Sequence, residues 1–596
     1  MGFLRPKIPD GSKTQKPDKG NYWLAGQQRP RVNWRRTKNL RTLYIYCFFL
    51  ILVNVANGFD GSMMNGLQSL PYWQEYFNYP KKVRLSMFGS AMSLGGLISL
   101  PFIPFMCDRL GRKPTIITGS VIILLGVGLQ AGAVNFDMFF AARIILGFGM
   151  TWATSAGPLL VAEIAHPQDR AILTTFMGLA YAIGSFVASW VTFGTLKIES
   201  DWAWRTPSLL QCWCTIIILC IIWWVPESPR FMIAKDQHER ALNMLAHYHA
   251  EGNTEDEIVQ IEYNEIRTAM AMDKQADANT TWMDFVRTPG NRRRLMLVVA
   301  LAVFGQWSGN GIVAYYLKLI LDGIGITKPM DQLGINSGSK TMSLLINLFV
   351  AFYIDSFGRR PILLISTIGM FFAFLIWTVL NARIDPENPH KHMGRAVVGF
   401  IYVFNFFYNF KTGLPLTYTV EILPYGLRAK GTAISVVATS ATVFFNQFVN
   451  PIAMDNIQWR YYIFYVCFLA FEIVFIYFLV IETRYVPMEE IARHFDGDQA
   501  DVAAVATGKL EEDGFATGVE NAGLRQEAHA TKNAGLVAVH GGVPPLYVYV
   551  IAMSLCTSLV SMPLVKIHMI QEISGGAHGG VHLNQHFHTC PTHGSK

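Results

Sequence analysis

Twelve runs of roughly 20 apolar residues, separated by short polar turns, limit this chain more than any other feature. They cover residues 42–64, 85–107, 114–133, 137–164, 171–195, 207–225, 295–321, 339–355, 361–381, 395–421, 430–453 and 461–482. Twenty helical residues cross the ~30 Å hydrocarbon core of a bilayer. Backbone in lipid must satisfy its own hydrogen bonds, and nothing in these runs alternates with the period of a strand, so helices are the spanning element. Composition agrees. Of 596 residues, 51% are hydrophobic and only 15% charged, against roughly a quarter in a soluble protein. The charges are segregated into the first 41 residues, the stretch 226–294 and the end. The expected fold class is an all-α membrane protein.

Eleven Lys and Arg lie in residues 1–41, six of them between Arg29 and Arg41 beside the first run. The positive-inside rule puts that segment in the cytosol, and twelve spans return the C-terminus to the same side. The short loops holding Arg109, Arg112, Arg170, Arg359, Arg360 and Arg428 fall there too. No cleavable signal peptide is visible, so the first run is expected to act as the targeting signal. The expected organisation is a basic cytosolic tail (1–41), a six-helix bundle (42–225), a cytosolic central loop with short helices (226–294), a second six-helix bundle (295–482) and a mostly disordered cytosolic tail (483–596). A further apolar run at 545–565 is expected to be an interfacial helix or translated non-coding sequence rather than a thirteenth span. The histidines at 578, 582, 586, 588 and 593 are not expected to hold metal.

Two loops repeat one statement. Asp108-Arg109-Leu110-Gly111-Arg112-Lys113 and Asp355-Ser356-Phe357-Gly358-Arg359-Arg360 each follow the second run of their half and precede a proline, Pro114 or Pro361. The same turn at matching points of two six-helix halves marks an internal repeat, which in a membrane protein points to alternating-access transport. Glu163 and Arg170 flank the end of the fourth run, and Glu421 and Arg428 hold the equivalent places at the tenth. With Asp108, Arg109, Arg112, Asp355, Arg359 and Arg360 they are expected to form a cytosolic gate of ion pairs that holds the bundles together when the site opens outward. Single exposed pairs are worth only ~0–1 kcal/mol, so a network is required. Positive-inside anchoring alone leaves the acids unexplained.

Six blocks resemble the sugar porter family of the major facilitator superfamily. They are GFDGSMMNGLQ (58–68), DRLGRK (108–113), RIILGFGM with PLLVAEIA (143–165), PESPR (226–230), DSFGRR (355–360) and ETRYVPMEEI (482–491). GQWSGNGIVAYYL (305–317), SWVTFGT (189–195) and YTVEILPYGLRAKG (418–431) look most like the fungal lactose permease and cellodextrin transporter branch. The resemblance implies the major facilitator fold, with 12 transmembrane helices in two pseudo-symmetric six-helix bundles.

Asp60 in the first run and Arg143 in the fourth are charges at depth, which are usually paired and functional. In proton-coupled members of the family an Asp and an Arg at the matching positions carry the proton coupling. A sugar site needs hydrogen-bonding side chains and aromatic faces. Gln306, Asn310, Tyr315, Tyr316 and Tyr418 are the candidate substrate-binding residues. Gly178, Gly305, Gly311 and Leu416 stand where the family usually has larger polar or aromatic residues, which suits a larger sugar such as a disaccharide.

The expected function is therefore a proton-coupled importer of a mono- or disaccharide, with no cofactor or metal, in the fungal plasma membrane with both termini cytosolic. Its expected partners are the sugar, protons and the lipid bilayer, and a monomer is expected. The alternatives are a facilitative sugar, polyol or quinate-like carrier, and a non-transporting sugar sensor. Nucleic-acid binding has no support, because the net charge of +7 reflects loops facing anionic lipid. No nucleophile–base pair or phosphate loop stands out, so an enzyme is not expected. Six of the eight cysteines lie in or at the runs, with spacings that suit neither disulfides nor a metal.

Overall fold

The computed structural model describes residues 21–24, 27–353, 358–383, 391–484, 486 and 488–496. Asp355, the run 545–565 and the late histidines lie outside the described residues. The first six passes are Lys38–Leu67, Lys82–Ser99 with Phe102–Arg109 at a 51° bend, Arg112–Ala131, Phe136–Ile164, Arg170–Thr195 and Trp202–Ile221. The second six are Pro289–Gly323, Pro329–Tyr353, Arg359–Ala382, Lys391–Lys411 with Leu414–Ile422, Tyr425–Ile457 and Arg460–Leu479. Because the connections are short, successive passes alternate in direction. The charged loops after every even pass therefore share one end with Lys38, and the opposite end carries Leu67.

Among the described residues, nine helices are long and apolar enough to cross a membrane, and the bent second pass makes a tenth. The eighth and tenth passes fall short because they carry polar side chains that face protein. Gln332 donates to Asp322 at 2.6 Å and to the Ile326 carbonyl at 2.8 Å, while Asn405 donates to Ser339 at 2.8 Å. That is also why the eighth helix starts at Pro329, ten residues before the apolar run at 339. Polar residues with protein partners are compatible with a membrane helix but invisible to a hydropathy criterion.

Two passes of the second half are broken where glycine alone tolerates the backbone. Gly309 at φ +93 divides Pro289–Trp307 from Asn310–Gly323, and Gly413 at φ +84 divides the tenth pass. The seventh pass also kinks at Tyr316 (φ −136, ψ 33). There Asn65 of the first pass inserts its amide, accepting from Leu317 N–H at 3.2 Å and donating to the Val313 carbonyl at 3.4 Å. Those two backbone groups would bond each other in an unbroken helix.

The central segment folds as Pro229–Ala234, His238–His249, Glu257–Asn279 and Asp284–Arg287. It docks on the Lys38 end through Glu262, which binds His249 Nδ1 at 2.7 Å and Arg170 at 2.8 Å. Burial alone would raise the Glu262 carboxyl, but His249 and Arg170 overcome it and hold it below the ordinary carboxylate range. His166 lies edge-on to His249, ring centres 5.0 Å apart, and burial, aided by His249, pushes it down to about 4. A small antiparallel hairpin, Asn21–Leu24 with Gln27–Pro30, precedes the first pass. Arg29 on it pairs with Glu257, and Val32 exchanges two hydrogen bonds with the Gln168 side chain. At the far end of the described chain, Met488–Asp496 returns Asp496 to the buried Arg294 at 2.7 Å.

Candidate functional site

Two cavities lie between the halves and share Tyr181 and Tyr315. The first, about 290 Å³, is lined by the first, second, fourth, fifth, seventh and eleventh passes, with Arg143, Thr151, Ser440 and Gln447 among its walls. The second, about 240 Å³, is walled by the fifth, seventh, eighth and tenth passes. Gln306 and Asn310 stand in its wall at the Gly309 break, and Thr412 stands beside the Gly413 break. Helix breaks beside a cavity free backbone and side-chain groups for a ligand, which an unbroken apolar helix would not.

Asp60 pairs with Arg143, which lines the first cavity. The guanidinium donates to the carboxylate at 2.5 Å, and both side chains are almost fully buried (1% exposed for Asp60). A merely hydrated Asp60 is thereby excluded. The second Asp60 oxygen and Arg143 Nε have no hydrogen-bond partner, so the pair is buried with capacity to spare. Met92 is the other neighbour of the guanidinium, at 3.8 Å from its sulfur.

The expected sugar-site residues divide. Gln306, Asn310 and Tyr315 line the second cavity; Asn310 donates to the Tyr408 hydroxyl at 2.8 Å, which in turn donates to the Gly305 carbonyl at 3.2 Å. Tyr316 and Tyr418 do not join them. Tyr316 is buried behind the cavities with its hydroxyl on the Gln447 carbonyl at 2.6 Å, and Tyr418 accepts from Ile481 N–H at 3.0 Å in the core. Gly311 has no room for a side chain, since the Asn446 amide occupies that space.

Several lining residues were not anticipated from sequence. Asn336, Ser339, Lys340, Ser343 and Asn347 lie on one face of the eighth helix, with Asn405 and Asn409 opposite. Their spacing of three, one, three and four was a readable signal, masked by the polar start of that helix. Deeper in the second half, Lys411 pairs with Glu472 at 2.8 Å and with Ser308 at 2.7 Å, all buried.

The charged loops repeat in three dimensions. In the first half Arg112 binds Glu163 at 3.0 Å, Glu227 accepts from the backbone N–H of Arg112 and Lys113, and Lys113 donates to the Trp223 carbonyl at 2.8 Å. In the second half Arg359 binds Glu421 at 3.0 Å, Glu482 accepts from the N–H of Arg359 and Arg360, and Arg360 donates to the Tyr477 carbonyl at 2.6 Å. Glu227 and Glu482 belong to the PESPR and ETR blocks, yet their contact with the loop amides was not anticipated.

Four gate residues have surroundings the sequence did not indicate. Arg170 reaches Glu262 of the central segment rather than Glu163. Asp108 and Arg109 are exposed, with Arg109 over the Phe105 ring at 4.4 Å, and Arg428 lies over the Tyr425 ring at 5.8 Å. Among the described loop residues, the Arg112–Glu163 and Arg359–Glu421 pairs each close within one half. The halves meet at the Leu67 end. There Asn65 bonds Asn336 at 3.1 Å, Gln68 donates to the Tyr315 carbonyl at 3.0 Å, and Lys82 pairs with Asp455 at 3.2 Å.

This architecture is similar to solved structures of the xylose transporter XylE from E. coli. The inward-open form superimposes with a TM-score of 0.62 at 19% identity, covering 76% of this chain and 100% of that one. A structure titled as the major facilitator superfamily proton:xylose symporter XylE, bound to 6-bromo-6-deoxy-D-glucose, gives 0.61 at 19%, covering 77% and 100%. The fold is the major facilitator fold. Among curated proteins, the MFS-type transporter oryC of Aspergillus oryzae is 29% identical over 400 residues, 66% of this chain and 73% of its own length. The high-affinity glucose transporter of Kluyveromyces lactis is 25% identical over 476 residues, 77% and 86% of the two chains. Residues 46–495 match the family described as "Sugar (and other) transporter", and with that match over more than half its length the chain belongs to the sugar (and other) transporter family.

Proposed function

We propose that this chain is a proton-coupled sugar importer of the plasma membrane, with both termini cytosolic, that moves a mono- or disaccharide by alternating access. The carrying observation is the buried Asp60–Arg143 pair at the wall of one inter-half cavity, beside a second cavity rich in amides and hydroxyls. A carboxylate held by one guanidinium can exchange that partner for a proton, and a cavity between the halves lets the exchange follow which end is open. Likeness to a proton:xylose symporter and to fungal glucose transporters supports the same reading. The lactose and cellodextrin branch remains part of the proposal on the strength of the seventh-pass block, residues 305–317.

With the Lys38 end taken as cytosolic, the contacts of Asn65, Gln68 and Lys82 close the outer side. The loop clusters then keep each half's own helix ends together on the inner side. The test is uptake of labelled D-glucose, D-xylose, lactose and cellobiose by a transporter-null yeast expressing the chain, at pH 5 and pH 7 and with an uncoupler. Uphill, uncoupler-sensitive uptake faster at the lower pH is expected. Surface-expressed protein that only equilibrates its substrate removes the proton-coupled part, and one that moves none of them removes the sugar-import reading.

A further inference from the structure

Lys340 stands near the middle of the eighth pass, Pro329–Tyr353, and lines the second cavity. Among the described residues no carboxylate lines that cavity, and Lys340 makes no ion pair or hydrogen bond there. The other cations at depth are treated differently: Arg143 has Asp60, and Lys411 has Glu472 with Ser308. A charge inside a membrane is costly and is normally paired or functional. Here the pairing group is missing on the protein side and the cation faces an open cavity.

The walls around it are built for hydroxyls. Asn409 donates to Ser343 at 3.1 Å and accepts from Asn347 at 3.0 Å, so three side chains are held in one orientation with further capacity to donate and accept. Tyr181, Tyr315 and Tyr408 add ring faces. The break at Gly309 brings the N-terminus of Asn310–Gly323 to the same cavity, where Asn310 and Val313 line it, and a helix N-terminus favours negative charge.

Resting on the proposed reading of this cavity as the sugar site, we infer that its substrate is a sugar acid, a polyhydroxylated monocarboxylate whose carboxylate pairs with Lys340. A single ammonium with no arginine beside it suits one negative charge better than a phosphate, which is usually gripped by several donors. The hydroxyls of the ligand are left to the amides of the eighth and tenth passes. Aldonates, uronates and their disaccharide counterparts all present this chemistry.

The experiment uses the full chain and two readouts. Uptake of D-gluconate, D-galacturonate and cellobionate is compared with that of D-glucose and cellobiose in transporter-null yeast, and binding of the same five compounds is followed by thermal shift of the purified protein. At least one of the acids is expected to be carried and bound in preference to its neutral counterpart. Lys340→Gln should weaken that acid by about tenfold to a hundredfold, the loss of one charge-assisted contact, while Lys340→Arg keeps most of it. Surface protein and the unliganded melting temperature report folding of each variant. If the neutral sugars alone bind and are carried, and Lys340→Gln leaves them unchanged, the sugar-acid inference is overturned and the sugar-importer reading stands. Lys340-dependent binding of an acid without any uptake gives the reverse: the site binds an anion and the transport reading fails. No binding of any acid overturns the inference whatever the uptake shows.

Discussion

The two halves share a loop architecture down to single hydrogen bonds, yet they handle buried charge and helix continuity in opposite ways. The first half keeps its first and fourth passes unbroken over 30 and 29 residues, and sets between them one ion pair with unused hydrogen-bonding capacity. The second half breaks its seventh and tenth passes at Gly309 and Gly413, and surrounds its own pair, Lys411–Glu472, with Ser308, Thr367 and the Phe304 carbonyl. A pair with spare valence at a cavity wall is suited to changing its protonation. One saturated by neighbours is suited to holding broken helices in place. The halves share one frame, and on the proposed reading they divide the work between ion handling and ligand binding.

The sharpest way to break this comparison is Asp60→Asn. The amide keeps the size and polarity but cannot exchange a proton, so uphill accumulation should vanish and leave equilibration, read as the ratio of internal to external substrate at pH 5. Asp60→Asn with Arg143→Gln controls for the unpaired guanidinium. Undiminished accumulation by the single variant would return Asp60 to a structural role.

Lys411→Met tests the other half. Removing one partner of a buried pair typically costs about 3–5 kcal/mol, because the remaining charge is stranded. Folded, surface-exposed protein should fall sharply and recover in Lys411→Met with Glu472→Leu, measured by fluorescence-detected chromatography in detergent. A single variant as abundant as the parent would mean the second pair is as labile as the first.

His166 extends the comparison to the Lys38 end of the first half. Its ring is held near 4, below the ordinary 6.5, so the folded state resists its protonation. The stability this contributes is complete above pH 6.5 and is lost as pH falls from there towards 4, amounting to about 3 kcal/mol across the window. Glu262, held below the ordinary carboxylate range, adds its own loss only under pH 4.5. The protection of Glu257–Asn279 amides against exchange, corrected for the intrinsic rate, should therefore fall as pH drops from 6.5 to 4.5, and His166→Gln should flatten that slope.

The smallest expected effect is that of Gln306→Ala, in the cavity beside the Gly309 break. Loss of one polar contact to the substrate should cost about 1–3 kcal/mol, seen as a higher transport constant with unchanged surface protein. Poor expression with an unchanged constant would assign Gln306 to packing instead.

Much of this was legible in the sequence, and the reasons are specific. Hydropathy located the passes because lipid selects apolar side chains, and it misjudged the start of the eighth because Gln332 and Asn336 answer to protein partners. Asp60 and Arg143 could be paired in advance because the family resemblance matches both positions and charge at depth is usually paired. Lys411 and Glu472 are equally deep but sit 61 residues apart within apolar runs, and no turn or repeat drew attention to them. Arg170 shows a different limit. Its neighbour in sequence, Glu163, is taken by Arg112, and its actual partner comes from Glu262, a distance only the fold can close. Tyr316 and Tyr418 carry the right chemistry for a sugar, but helical phase turns them towards the core.

On the proposed alternating-access reading, the amide of Asn65 has a consequence for the speed of the cycle. It stands in for a missing rung of the seventh helix, between Leu317 N–H and the Val313 carbonyl. When the first pass draws away, those two groups are left facing each other, ready to bond directly, while the released amide turns to water. The count of satisfied donors and acceptors is nearly the same before and after. Opening that side thus resembles a handover between partners rather than the rupture of a bond, and such an exchange raises little barrier of its own. Replacing Asn65 with leucine would make the contact apolar and leave the helix gap unfilled, converting a smooth handover into a costly vacancy.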